Sequence, residues 1–198
     1  MRFKKETDRH RSLLGKLLLK WTLRKVYGIQ AMPELTYNQY KRPYLKEFPS
    51  IDFNISHSGG WVVCGVTDNG QIGVDVQQMR PINLEIARRF FAPREANFIE
   101  NSVPEYQLDY FYRFWTLKEA YIKAEGKGMH MPLDSFYFDL YMGLAPEIRL
   151  SSNGKIEGWK FILHEPAKDY KLAVCVSTNA FNYNLIKINM DRLTEAYL

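Results

Sequence analysis

A carboxylate set into a β-branched run, Gly73-Val74-Asp75-Val76, constrains this chain more than any other feature. Residues 61–67 just upstream are apolar and β-branched, Asp68-Asn69-Gly70 is turn chemistry, and residues 71–77 alternate apolar with polar. Together they predict a β-hairpin. Side chains alternate along a strand, so Val74 and Val76 share one face while Gly73, Asp75 and Gln77 share the other. A carboxylate beside a residue without a side chain has open space in front of it, which suits a close ligand such as a hydrated metal ion or a phosphate. A solvent-facing aspartate on an edge hairpin fits the same residues.

The second informative stretch is Trp115-Thr116-Leu117-Lys118-Glu119-Ala120-Tyr121-Ile122-Lys123. Tyr112, Trp115, Glu119, Ile122 and Lys123 recur at spacings of three and four, which predicts a helix over residues 108–125 that ends at Gly126-Lys127-Gly128. Glu119 and Lys123 then lie on one face. An exposed ion pair of this spacing contributes only a few tenths of a kcal/mol. Trp115 and Ile122 on the flanking turns indicate a half-buried face, however, where an acid and an ammonium call for a function.

G-(V/I)-D-(V/I) followed by W-x-x-K-E-A-x-x-K resembles the signature of 4'-phosphopantetheinyl transferases of the Sfp-type branch. Phe53-Asn54-Ile55-Ser56-His57-Ser58 is similar to the family's F-N-(I/L)-S-H-(S/T) segment, and Tyr40-Lys41-Arg42-Pro43 to its G-(K/R)-P segment. Residues 81–91 and 125–136 also resemble family segments, so the likeness spans residues 9–176. The resemblance implies a magnesium-dependent enzyme that moves the phosphopantetheine arm of coenzyme A onto a serine of an acyl or peptidyl carrier protein and releases 3',5'-ADP. Such carriers serve nonribosomal peptide, polyketide or fatty acid synthesis, antibiotic biosynthesis included. The implied fold is α+β and pseudo-dimeric, two similar α/β half-domains with the coenzyme A cleft between them. The halves would be residues 1–74 and 75–198.

The site roles follow from the same resemblance. Asp75 and Glu119 match the acidic metal ligands, Glu119 also being the base for the serine proton, and Lys123 matches the lysine that binds the diphosphate. Ser56 and His57 would contact the coenzyme's phosphates, Arg42 with Pro43 its 3'-phosphate and adenine. Ser12, beside Arg11 at the expected start of a helix over residues 13–26, matches a hydroxyl that contacts the same 3'-phosphate, and both a helix N-terminus and an N-cap suit it there. The chain departs from the Sfp pattern at Gln77, where that pattern has a second strand acid. An amide oxygen can ligate magnesium but carries no charge, so weaker metal affinity is expected; alternatively Gln77 orients only a metal-bound water. Relative to Sfp-type proteins the chain is also expected to lack an initial strand and basic residues: a misplaced start is the favoured explanation, the alternatives being that Arg2, Lys4, Lys5 and Arg9 substitute for the lost charges or that the product is a damaged remnant.

Composition agrees with this reading. With 46% apolar residues in 198, the chain can bury a core, and its net charge of +5 suits an acidic carrier protein and a phosphorylated coenzyme. Nucleic acid is set aside as a partner, because Lys and Arg are dispersed beyond the segment 2–25 and no finger or RNP-type motif occurs. Cys64 and Cys175 lie in apolar, strand-like runs and read as buried thiols of a reducing cytosol, with no zinc or disulfide framework. No signal peptide or membrane span is recognisable, so a cytoplasmic monomer without membrane contact is expected. Carrier docking is expected around residues 78–91 and 108–112. The competing reading of the whole chain is a decayed, non-catalytic module that binds coenzyme A or carrier protein.

Overall fold

The computed structural model describes residues 2–140, 146–150, 154, 156–178 and 183–195. The chain opens with a long helix, α1 (Arg2–Tyr27), followed by the short strands β1 (Leu35–Tyr37) and β2 (Pro43–Leu45). Next come β3 (Asp52–Ser58), β4 (Trp61–Thr67) and β5 (Ile72–Gln78), then three helices, α2 (Ile86–Phe90), α3 (Pro93–Asn101) and α4 (Pro104–Glu125). Strands β6 (Phe136–Asp139), β7 (Glu147–Leu150), β8 (Lys160–His164) and β9 (Tyr170–Val176) and the helix α5 (Met190–Glu195) complete the α+β order.

Two helix-on-sheet units are built from these elements. In the first, α1 lies on the antiparallel pair β3–β4, and Leu19 and Leu23 of the helix bury against Phe53, Ile51 and Leu45. In the second, α4 lies on a sheet of order β5-β9-β8. Its Phe111, Phe114, Leu117 and Tyr121 pack with Phe91, Phe136, Phe138 and Phe161. Pro104 opens α4 at a position where a missing N–H costs nothing, and Gly126 ends it in the left-handed region at φ +70°.

The units meet at β3 and β5, and here the expected hairpin is corrected. β4 pairs with β3 through the turn at Gly59, while β5 turns away to pair with β9, with Asp75 opposite Ala173. The turn chemistry at residues 68–70 therefore links two sheets instead of closing one hairpin. The physical reason is the free edge of β5, which is satisfied by side chains and not by a neighbouring backbone. The N–H groups of Ile72, Val74, Val76 and Gln78 donate to Asp52 Oδ2, Asn54 Oδ1, Ser56 Oγ and Ser58 Oγ at 2.7, 3.0, 3.2 and 3.0 Å. On the same edge Arg42 donates to the Ile72 carbonyl at 2.9 Å and Lys123 to the Val74 carbonyl at 3.2 Å. Every rung joins residues twenty apart, so β3 and β5 run parallel and in fixed register. Backbone groups leaving water must find partners, and short oxygen-bearing side chains on alternate residues of β3 supply them.

A second correction concerns α1, which begins at Arg2, not at residue 13. Residues 2–12 contain neither Gly nor Pro, so nothing interrupts the helix. Ser12 thus sits exposed in mid-helix and caps nothing. The side chains of Arg2, Lys4 and Lys5 lie outside the described residues. Cys64 and Cys175 are both free, on β4 and β9. Among the described residues no helix is long and apolar enough to cross a membrane.

Candidate active site

The site forms where α4 crosses β5, and Gly73 is what lets it cross. A Cβ built on Gly73 would overlap the Ala120 carbonyl oxygen and sit 2.6 Å from the Ala124 nitrogen. The space beside Asp75 is therefore filled by helix backbone and is not open to a ligand, contrary to the sequence expectation. Instead the close approach delivers the side chains of α4 to Asp75.

Asp75 is 2% exposed, and Lys123 Nζ lies 2.6 Å from its Oδ1. Ser56 donates its hydroxyl to the same oxygen at 2.9 Å, while Gln77 donates its amide N–H to Oδ2 at 3.0 Å. Lys123 also donates to Ser56 Oγ at 3.0 Å. One strand acid, one strand hydroxyl and one helix ammonium thus form a closed set across the junction of the two units.

Glu119 lies one turn before Lys123 on α4, half-buried, and no described residue donates a hydrogen bond to it. Burial pushes its carboxyl up from the usual range, the negative charge of Asp75 pushes the same way, and Lys123 opposes both. Two converging carboxylates, one of them without a donor, form an oxygen-only pair of the kind magnesium takes alongside waters and phosphate oxygens. Among the described residues no three His, Cys, Asp or Glu side chains gather, so further ligands would come from solvent or substrate. These residues fit a hard divalent cation.

The remaining sequence candidates divide between two places. His57 is exposed and, by strand alternation, faces α1 with Phe53 and Ile55, on the side of β3 opposite Ser56. Ser12 is near that level, since Arg11 donates to the Gly59 carbonyl at 2.7 Å and Gly15 packs on Ile55. Arg42 is at the other end of the seam, near the end of α4, where its Cδ abuts Gly126. Its side chain is 14% exposed and its guanidinium donates to Asp52 at 2.6 Å, leaving a buried Nε without a partner. Pro43 follows as the first residue of β2. In the expected docking segment Phe91 is core, whereas Phe90 is exposed beneath the Arg89 guanidinium.

Lys118, the other basic residue of the helix motif, points away from the site. It is fully buried against Glu95 at 2.7 Å and donates to the Leu133 and Phe136 carbonyls, both at 2.7 Å. Sequence reasoning missed Asp52, Asn54 and Ser58. The signal was present in the alternation of Asp, Asn, Ser and Ser with Phe53, Ile55 and His57.

Two helix-on-sheet units joined at one seam, with an acid on the joining strand and an acid and a base one turn apart on the crossing helix, form the architecture of a phosphopantetheinyl-transfer enzyme. The chain belongs to the 4'-phosphopantetheinyl transferase superfamily, whose model matches residues 71–175, and a 4'-phosphopantetheinyl transferase N-terminal model matches residues 1–68. It is similar to a 4'-phosphopantetheinyl transferase of Bacillus subtilis, 38% identical over 185 residues that cover 89% of this chain and 78% of the relative. It is also similar to the 4'-phosphopantetheinyl transferase Sfp of Bacillus subtilis strain 168, 35% identical over 193 residues, 97% of this chain and 85% of that one. Among solved structures, a holo-[acyl-carrier-protein] synthase of Thermotoga maritima aligns with a TM-score of 0.45 and 19% identity, covering 56% of this chain and 64% of that chain.

Proposed function

We infer that this chain transfers the 4'-phosphopantetheine arm of coenzyme A to a serine hydroxyl of an acyl or peptidyl carrier protein and releases 3',5'-ADP. The observation that carries the reading is the convergence of Asp75, Glu119 and Lys123 where the two units join. The serine oxygen bonds to the phosphorus that bears pantetheine, the bond from that phosphorus to the bridging oxygen breaks, and the serine proton goes to Glu119. Glu119 suits the base because burial raises its proton affinity and no described residue donates to its oxygens. Lys123, a compact point charge held beside Asp75, binds the diphosphate and stabilises the departing phosphate. Asp75 and Glu119 would hold magnesium, which when bound supplies charge neutralisation at the diphosphate. Most of the catalysis is then positioning and electrostatics.

On the coenzyme side, Ser12 and His57 receive the 3'-phosphate at the level of the Gly59 turn, and Ser56 faces the diphosphate. Arg42 and Pro43 bound the adenine end, where Asp52 holds the guanidinium in place. Residues 1–74 and 75–198 are the two halves, and the protein works as a monomer in the cytoplasm. Its carriers belong to nonribosomal peptide, polyketide or fatty acid synthesis, including antibiotic biosynthesis. Coenzyme A carrying a fluorophore on its thiol tests the reaction. Magnesium-dependent labelling of an apo carrier protein, abolished when its acceptor serine is replaced by alanine, is expected; labelling that survives that replacement would contradict the reading.

A further inference from the structure

Gln77 follows Asp75 on the same face of β5, and its amide nitrogen points at Asp75 Oδ2. Lys123 and Ser56 already donate to Oδ1. Both oxygens of a nearly inaccessible carboxylate are therefore engaged by donors. Two donors fill Oδ1 and one sits on Oδ2, so the lone pair still vacant on Oδ2 lies beside the Gln77 amide, whose positive N–H end opposes an arriving cation. Displacing Lys123 would strip an ammonium from its counter-charge, whereas displacing Gln77 costs one bond to a neutral amide. A cation would take Oδ2, and the Gln77 amide is the group whose N–H it would crowd.

We propose that Gln77 is a latch on the metal site, a positioning residue that covers the vacant lone pair of Asp75 and sets how readily a divalent cation enters. The inference rests on the reading of Asp75 and Glu119 as the ligands. It assigns Gln77 a role opposed to ligation: its nitrogen competes with the ion, where an amide oxygen would have helped it. The charge pattern agrees, because two carboxylates against one ammonium leave a single net negative charge in the pocket. A neutral amide adds nothing to attract the ion.

The test is a Mn2+ titration of the full chain without coenzyme A, read by loss of the free-ion EPR signal, for the unmodified protein, Gln77→Leu, Gln77→Ala and Glu119→Gln. Thermal melts establish that each variant folds. Leucine and alanine lack the donor, so both are expected to bind Mn2+ more tightly, by about ten- to a hundredfold for one hydrogen bond to a charged group. Binding that is unchanged or weaker in both would overturn the latch, weaker binding being what a ligating amide oxygen predicts. Glu119→Gln is expected to weaken binding. If it binds as well as the unmodified protein, or if no variant binds the ion, the ligand reading itself fails, a result separable from failure of the latch alone.

Discussion

Asp75 is held by three donors, whereas Glu119, the acid its charge acts upon, has none among the described residues. That asymmetry separates a carboxylate already engaged by protein donors from one left open, and it depends on Gly73. Replacing Gly73 with Ala forces β5 and α4 apart at the Ala120 carbonyl. Overpacking of this kind costs about 1–3 kcal/mol. A lower melting temperature together with a large loss of turnover is expected, and unchanged activity would mean the close approach does not set the site. Replacing Gln77 with Glu removes the competing amide and adds charge, so the magnesium concentration at half-maximal turnover should fall. Cys175 is fully buried, and burial holds its thiol well above the ordinary value. It should resist a thiol reagent at neutral pH until the protein unfolds, which mass analysis of the labelled peptides reads directly.

The element that orders the molecule is the seam between β3 and β5, where side-chain oxygens of one strand take the place of a backbone ladder for the other. Truncating Asn54 to Ala leaves the Val74 N–H without its partner and should cost on the order of 1–3 kcal/mol in chemical denaturation. The helix α4 is anchored on its far side by Lys118 and Glu95, both fully buried. Glu95→Ala strands a buried ammonium and should cost about 3–5 kcal/mol, while the pair Glu95→Leu with Lys118→Met should recover most of that loss. These elements also show what the sequence makes legible. The face shared by Glu119 and Lys123 and the stop at Gly126 follow from a period of 3.6 and a residue that accepts positive φ, both local rules. The partner of β5 does not follow, because β4 lies adjacent in sequence with good turn chemistry while the true partner, β9, begins nearly a hundred residues later. Nor does the place of Lys118 emerge from periodicity, since its buried counter-charge lies on a different helix.

Over the whole molecule, two helix-on-sheet units share one boundary, and each contributes side chains to the site. Ser56 comes from the first, Asp75 from the strand at the junction, and Glu119 and Lys123 from the second. A site divided in this way makes catalysis sensitive to the seam, so Asn54→Ala should lower turnover as well as stability. The central claim is that Glu119 works beside the Asp75–Lys123 pair as the group that accepts the serine proton. Intact-mass spectrometry of an apo carrier protein incubated with this chain, coenzyme A and magnesium tests it most directly, with Glu119→Gln alongside. The account predicts a mass increase equal to one phosphopantetheine arm with the unmodified protein and none with a folded Glu119→Gln variant. Equal modification by the two proteins would contradict it.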